Sequence, residues 1–551
     1  MNKLKRIIFS TFATLIVAAG AFYIMLPPIN IHSTDFWSFL TFVVIIFGVA
    51  NLLFGAKDSI NFQGKIDFSF VKSSKLAIAV VIAALVPSAV IIVGTVSSST
   101  FFNAKDYASI ITVNEAVFEE DMPETNTVTN IALMDSTSAT TIGNRTLGAL
   151  SNVVSQYEVT SKYSQINYLG APKKVANLEY VGFFKWLGNR GTGIPGYVMV
   201  DPVNISAEYV EFNNPIKYVD SAYFSEDLYR VLRFDYPTKI FHNITFEVDE
   251  AGNPYYIVSC AKPRVGLFGA YDINEVITFD PYSGESEIYS VDESPSWIDT
   301  VFTGRLASEK YDWYGLYSKG YWNSVIGNKD CKVTTDDFGY IMIEDDVWYF
   351  TGVTSITSDE SNIGFIISNA RTGEYKFYPI IGAEEYSAMR SAEGEVQEKR
   401  YTASFPSLIN ISGEATYIMV LKDDAGIVRL YALVNVEQYT IVATGETQES
   451  AKRAYIERLK LEGIIDEDIP DDSESANSQN AVIVVSEIKM PVVDGNTVVY
   501  ITDEKGTMYR EKLSLNDALI LVKVGDALNI DYIDTDIDSI KEIVALNDFN
   551  K

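Results

Sequence analysis

The chain has 551 residues, with 43 Lys and Arg against 73 Asp and Glu, two His and two Cys. A net charge of −30 argues against nucleic acid as a partner, because phosphate binding needs clustered Lys and Arg. So few His and Cys exclude most multi-ligand zinc, haem and iron–sulfur sites, and a chain that is 47% hydrophobic is not globally disordered.

Three uncharged apolar runs open the chain, at about 7–26, 36–54 and 76–98. Each is near the roughly 20 residues that a helix needs to cross the hydrocarbon core. They predict a membrane domain over 1–99. Lys3, Lys5 and Arg6 precede the first run, and Lys57, Lys65, Lys72 and Lys75 lie between the second and third. The loop between the first and second has neither Lys nor Arg. The positive-inside rule then expects a cytoplasmic N-terminus and an extracellular region beyond about residue 100. Ala19-Gly20-Ala21 has the form of a signal-peptide cleavage site, but the apolar stretch runs on to Leu26, so a retained anchor is expected. The runs hold no ionisable residue, which favours an anchor over a pore. Asn51, Ser88 and Pro87 are read as helix-packing and kink positions.

Residues 1–99 hold seven basic and three acidic residues, which leaves 36 and 70 for the rest, a net of −34. Residues 100–174 read as a mixed connector with a loop and one helix. From 175 to 465 the composition turns to Tyr, Phe, Val and Ile with recurrent turn dipeptides, the mark of strands. Five hairpins are expected, turning near Asp201, Gly252, Gly284, Gly373 and Gly426.

Two of these turns, Asp280-Pro-Tyr-Ser-Gly284-Glu285 and Asn369-Ala-Arg-Thr-Gly373-Glu374, resemble the PepSY family, small modules of a helix and antiparallel strands found in bacterial envelope proteins. The resemblance covers about 200 residues in pieces and implies two such units. A propeller uses the same turn, but the hairpin spacing is irregular. As a whole the chain is similar to membrane-anchored envelope proteins of Gram-positive bacteria, through Gly193-Ile-Pro-Gly-Tyr-Val, Pro295-Ser-Trp-Ile-Asp and Gly382-Ala-Glu-Glu-Tyr-Ser-Ala-Met. That likeness supplies no functional residue.

Helices are expected over Ala383–Glu395 and Thr447–Glu462, the latter capped by Thr447 and stopped by Gly463. Residues 466–480 form an acidic linker without apolar period. Five short strands over 481–551 predict a small β-barrel, OB-like in form. The expected fold class is thus three transmembrane helices followed by a large α+β, strand-rich extracytoplasmic region ending in that barrel.

Catalytic signals are few. His242 is the only base available outside the spans, and no Gly-x-Ser-x-Gly elbow is present. The Gly-rich run Gly188–Gly196 lacks the Lys-Ser/Thr and helix of a phosphate loop, which leaves Arg190 as a lone anion contact. Asp534-x-Asp536-x-Asp538 starts like a calcium loop but has Ser539 and Ala545 where Gly and Glu are needed. Asp345-Asp346 and Asp423-Asp424 read equally as turn residues. Cys260 and Cys331 are expected either to bridge or to be two core thiols. Trp313, Tyr314, Tyr317, Tyr321 and Trp322 crowd ten residues and form a candidate binding face, with core packing as the other reading. No catalytic residue, metal site or cofactor is expected. The function read from the sequence is a binding or scaffolding protein of the cell envelope, its partners the lipid bilayer and an envelope protein or wall component. An envelope hydrolase using paired carboxylates and a transmembrane sensor stand as alternatives.

Overall fold

The computed structural model describes residues 3–56, 75–122, 124–125, 131, 133–134, 136–335, 337–343, 345–356, 358–465, 479–493, 496–513, 516–534 and 540–550. The expected 57–74 loop, most of the acidic linker, and Asp536 and Asp538 fall outside these. The chain divides into two compact units, one of residues 1–115, 135–359 and 365–377, the other of 116–134, 360–364 and 378–551. The membrane helices belong to the first unit.

In the first unit, α1 (Lys3–Met25), α2 (Thr34–Ala56) and α3 (Lys75–Ser97) contain the stretches Leu4–Met25, Thr34–Phe54 and Ile78–Ser97, each long and apolar enough to cross a bilayer. A Cβ on Gly48 of α2 would meet Val80 of α3 at 2.6 Å, so the missing side chain sets their close approach. Asn51 of α2 donates to the Ser10 hydroxyl of α1 at 3.5 Å. Pro87 lies inside α3, where the Ser88 hydroxyl donates to the Ala84 carbonyl at 3.2 Å. Asn51 thus bridges two spans, whereas Ser88 bonds within its own helix.

Past α3 come α4 (Thr100–Ala108) and α5 (Ser136–Gly148). A short strand, Val113–Glu115, pairs in parallel with Tyr375–Phe377, and after α5 the strands resume at Tyr157, earlier than expected. Tyr157–Val159 and Ser164–Tyr168 both pair with Ala171–Tyr180, which continues through Ile194–Asp201 to Ser206–Ile216. Helix α6 (Phe183–Asn189) interrupts this sheet and α7 (Leu228–Asp235) follows it, capped by the Asp227 carboxylate on the Arg230 amide at 2.8 Å. A four-stranded antiparallel meander runs through Ile240–Val248, Pro254–Val265, Gly269–Phe279 and Ser286–Ser290. Its inner face packs Ile257, Ile273 and Val276 against Ile298, Val301 and Leu306. Leu306 lies on α8 (Gly304–Tyr317), capped by Thr303. A further sheet is built around Asp346–Ser355.

All five expected hairpins are present. The two turns singled out by sequence have the same hydrogen bonds. Gly284 N donates to Asp280 O at 2.9 Å, and Gly373 N to Asn369 O at 3.0 Å. Glycine is required at both, with φ of 80° and 73°.

In the second unit, Thr402–Ala403, Ser407–Ile411, Glu414–Lys422, Val428–Asn435 and Val442–Gly445 form one sheet. The helices are α9 (Glu385–Glu395) and α10 (Gln448–Leu461). Thr447 and Ser450 cap α10 reciprocally, and its Ala451, Tyr455 and Leu459 fill the core under Ile418, Val420 and Leu433. Residues 479–550 form a closed five-stranded barrel. Gln479–Lys489 pairs with both Asn496–Asp503 and Ala527–Asp534, and Met508–Lys512 runs parallel to Ile540–Asn550. Ile483, Val499, Leu528 and Ile543 are fully or nearly fully buried inside it.

Candidate functional site

The loop between α1 and α2 and the chain after α3 lie on the same side of the spans, because they are bonded together. Arg233 of α7, 1% exposed, donates from Nε to the Leu26 carbonyl at 3.0 Å. Its other nitrogens reach the carbonyls of Lys239 at 2.6 Å and Tyr236 at 3.3 Å and the Tyr229 hydroxyl at 3.2 Å. Its guanidinium also lies 4.3 Å from the Phe241 ring centroid. Arg230 donates to the Tyr23 carbonyl at 3.3 Å and covers the Tyr23 ring. Two cations thus meet the orphan carbonyls at the C-terminus of α1, where the helix dipole is negative. The Ile29 amide donates to Pro237 O at 2.6 Å, and Tyr271 donates its hydroxyl proton to His32 O.

The end of α3 is held in the same way. The Ser98 hydroxyl accepts the amides of Leu267 at 2.8 Å and Phe268 at 3.1 Å, at the tip of the Pro254–Phe279 hairpin. A Cβ on Gly94 would meet the Phe268 ring at 2.5 Å, so the tip packs into a notch in the last turn of the span.

Beside this junction opens a cavity of about 620 Å³, in the size range of small-molecule sites. Ser98, Tyr107, His242, Phe268, Glu309 and Trp313 are among its walls. Partial desolvation raises the Glu309 carboxyl above the usual carboxylate range. Next to the lining residues Glu309 and Tyr271 in the chain, Lys310 and Asp272 form a buried ion pair at 2.6 Å. Desolvation of the Lys310 amine outweighs the carboxylate beside it and lowers its pKa. The walls combine aromatic rings with the Tyr107 hydroxyl and the Glu309 carboxylate. His242 was singled out in the sequence as a lone base, and the fold sets it in this wall.

The aromatic segment is split by the fold. Trp313 packs edge-on to Tyr107 at 5.1 Å, and Tyr317 joins the same cluster with Val265 and Ala270. Tyr314 lies 5.8 Å from the buried Tyr311. Tyr321 and Trp322 pack instead on Phe101, at 5.1 and 5.8 Å. The five rings are therefore not one face. A helix places residues 313, 314 and 317 on its body, whereas 321 and 322 lie beyond its end.

Cys260 and Cys331 are not joined. Both are free, buried thiols, Cys260 in the strand beside Phe241 and Cys331 beside Asn323 and Leu316. Strand packing and the loop after α8 use them as small core residues, the second of the two readings that the sequence left open. Burial pushes the Cys260 thiol up to about 12. Arg190 pairs with Glu226 at 3.0 Å and stacks on Trp186, so its charge is already engaged. Asp346 holds Arg371 through two bonds of 2.8 Å, and Asp423 caps its own turn through the Ala425 and Ile427 amides. Both are structural carboxylates.

A buried acidic pair was missed in the sequence because its members are 52 positions apart. Glu247 is fully buried, and its oxygens accept the backbone amides of Asp299 at 2.9 Å and Thr300 at 3.0 Å. Asp299 in turn accepts the Asn167 amide at 2.9 Å. Burial, and then the charge of Glu247, raises Asp299 well above the usual carboxylate range, and burial raises Glu247 as well. The pair pins the strand at 164–168 and the 299–300 loop to one point.

No group of His, Cys, Asp and Glu placed to hold a metal occurs among the described residues. Comparison of the chain with protein-family models and with curated proteins finds no match.

Proposed function

We infer that this membrane protein is an extracytoplasmic binding or scaffolding protein of a bacterial cell envelope, anchored by its three spans. The observation that carries the reading is the cavity of about 620 Å³ at the foot of α3, walled by Tyr107, His242, Phe268, Glu309 and Trp313. Its rings and rim match ligand capture better than bond cleavage. The carboxylates most perturbed by burial, Glu247 and Asp299, hold backbone amides instead of lining that cavity, so the hydrolase alternative gains no support. Placement of the large region outside the cell rests on the basic flanks of the spans. Its surface charge of −34 beyond residue 99 fits a basic or cationic wall partner.

A photoreactive residue at Glu309 tests the reading in intact cells. A discrete adduct that a photoreactive residue at Ala251 does not give is expected. No adduct at Glu309 would defeat ligand capture at this cavity.

The sensor alternative is favoured by one observation, the Arg230 and Arg233 bonds to Tyr23 and Leu26, which couple a large outer region to a span. The PepSY-like reading of the hairpins is retained as a proposal, supported by the shared turn bonds at Asp280 and Asn369. The OB-like reading of the barrel is likewise supported by its pairing, in which the first strand meets the second and fourth and the third runs parallel to the fifth.

A further inference from the structure

Two groups of exposed apolar side chains lie next to the ends of the spans. The first lies beyond α3. Phe101 follows the end of α3 by four positions, and its ring meets Tyr321 and Trp322. Trp322 is 63% exposed, and the single π-turn Asn323–Gly327 that follows presents Val325 and Ile326, the latter 74% exposed. A helix running straight on from the span would carry Tyr107 about 13 Å past Ser98. The Tyr107 hydroxyl instead donates to the Ser98 carbonyl at 2.8 Å, which keeps α4 against the span's end.

The second group lies beside α1. Phe184 of α6 is 83% exposed, with Leu187 one turn on. Phe183 and Trp186 of the same helix pack on Phe224, at 6.5 and 5.7 Å. The Phe224 carbonyl accepts Arg230 at 2.6 Å, and the same guanidinium reaches the Tyr23 carbonyl of α1. Only one ring layer and one arginine separate this group from the end of the first span.

Exposed apolar side chains that are grouped, as Phe184 with Leu187 and Trp322 with Val325 and Ile326 are, mark an interaction or membrane surface. Aromatic and aliphatic residues on short helical turns, beside Lys185 and Lys329 in an otherwise acidic region, have the composition of the bilayer interface. Their continuity with the two span ends fixes the occupant as lipid, since that level is where the headgroups begin.

We propose that these two knobs, Phe184 with Leu187 and Trp322 with Val325 and Ile326, insert into the lipid interface and seat the first unit on the bilayer. The hairpin tip at Leu267 and Phe268 touches both the loop after α1, at His32, and the end of α3, at Ser98. The seat is separate from the cavity and stands whether or not that cavity binds a ligand.

Nitroxide labels at Phe184→Cys and Ile326→Cys, on the full chain reconstituted in phosphatidylglycerol–phosphatidylethanolamine vesicles, test this. Both sites are exposed, so substitution leaves the core intact, and the unsubstituted chain treated alike gives the background of the two buried thiols. The reference label is Ala251→Cys. It sits at the far turn of the hairpin, one twelve-residue strand of about 40 Å away from the span. The expected result is a several-fold higher ratio of oxygen to nickel-chelate relaxation at 184 and 326 than at 251. A ratio at either site equal to that at 251 overturns the proposal. So does shielding from both relaxants, which would mean that a protein covers the knob.

Discussion

Arg233 and Leu26 are 207 positions apart, yet one guanidinium N–H closes on the carbonyl that ends the first span, at 3.0 Å. Leu26 itself has a φ of 49°, a left-handed conformation that costs a leucine about 1 kcal/mol or more. The bond holds it there. An ammonium cannot reach Leu26, Lys239 and Tyr229 together. Arg233→Lys should therefore destabilise the detergent-solubilised protein by roughly 2 kcal/mol, the worth of a charged hydrogen bond. An unchanged melting temperature would show that the clamp is not structural.

Sidedness gives a paired expectation. The loop 26–33 and the residues after Ser97 are bonded to one another, so they share a side. Ile31→Cys and Ala251→Cys should both react with an impermeant maleimide in intact cells. Reaction of one without the other would break the three-span arrangement. Reaction of neither before permeabilisation would reverse the orientation drawn from Lys3, Lys5 and Arg6.

The Glu247–Asp299 pair makes stability fall as pH rises. Both carboxyls are raised in the fold, so the native state binds more protons than the unfolded chain above about pH 4, the ordinary carboxylate range. Stability is then greatest at acidic pH and declines through neutrality and above as the pair is forced to ionise. Asp299→Asn keeps the acceptor for the Asn167 amide and removes the second charge. The slope of melting temperature between pH 5 and pH 9 should flatten, because each tenfold difference in proton affinity between the folded and unfolded chain is worth about 1.4 kcal/mol. A slope equal to that of the wild type would place the titration elsewhere.

Arg453 of α10 enters the barrel. It is nearly fully buried and donates to Glu511 at 2.8 Å, to Glu542 at 3.3 Å and to the Ile543 carbonyl at 2.8 Å. Burial raises Glu511 to about 7 even beside this cation. Arg453→Met leaves two buried carboxylates unpaired and should cost about 3–5 kcal/mol near neutral pH, with recovery at acidic pH as they protonate. A protease site inserted at 471 tests the same contact. The nicked pieces should co-elute until denaturant is added, and separation without it would show that the barrel stands alone.

Much of the scaffold was legible because it repeats short-range physics. Uncharged runs gave the spans, and Thr447 with Gly463 bracketed α10. The turns at Gly284 and Gly373 announced their hairpins by residue type alone. What stayed hidden depends on pairs far apart in the chain. Nothing near Arg233 points to Leu26, and nothing near Glu247 points to Asp299. Tyr157–Val159 and Ser164–Tyr168 were overlooked as strands, since one is three residues long and the other is mixed in polarity. The candidate face at Trp313–Trp322 failed as a unit because its spacing crosses the end of a helix. The cavity draws its walls from α3, α4, three strands and α8, a convergence that no local pattern records.

The notch at Gly94 has a mechanical meaning. The tip of the hairpin is locked to the last turn of α3 by the Ser98 hydroxyl and the Phe268 ring. From that fulcrum a stiff antiparallel ribbon about 40 Å long extends to the turn at Gly252. A tilt of about 5° in the span would swing the distant turn by roughly 3 Å over that length. The hairpin thus carries the position of the last turn of α3 along its own length, to the turn at Gly252.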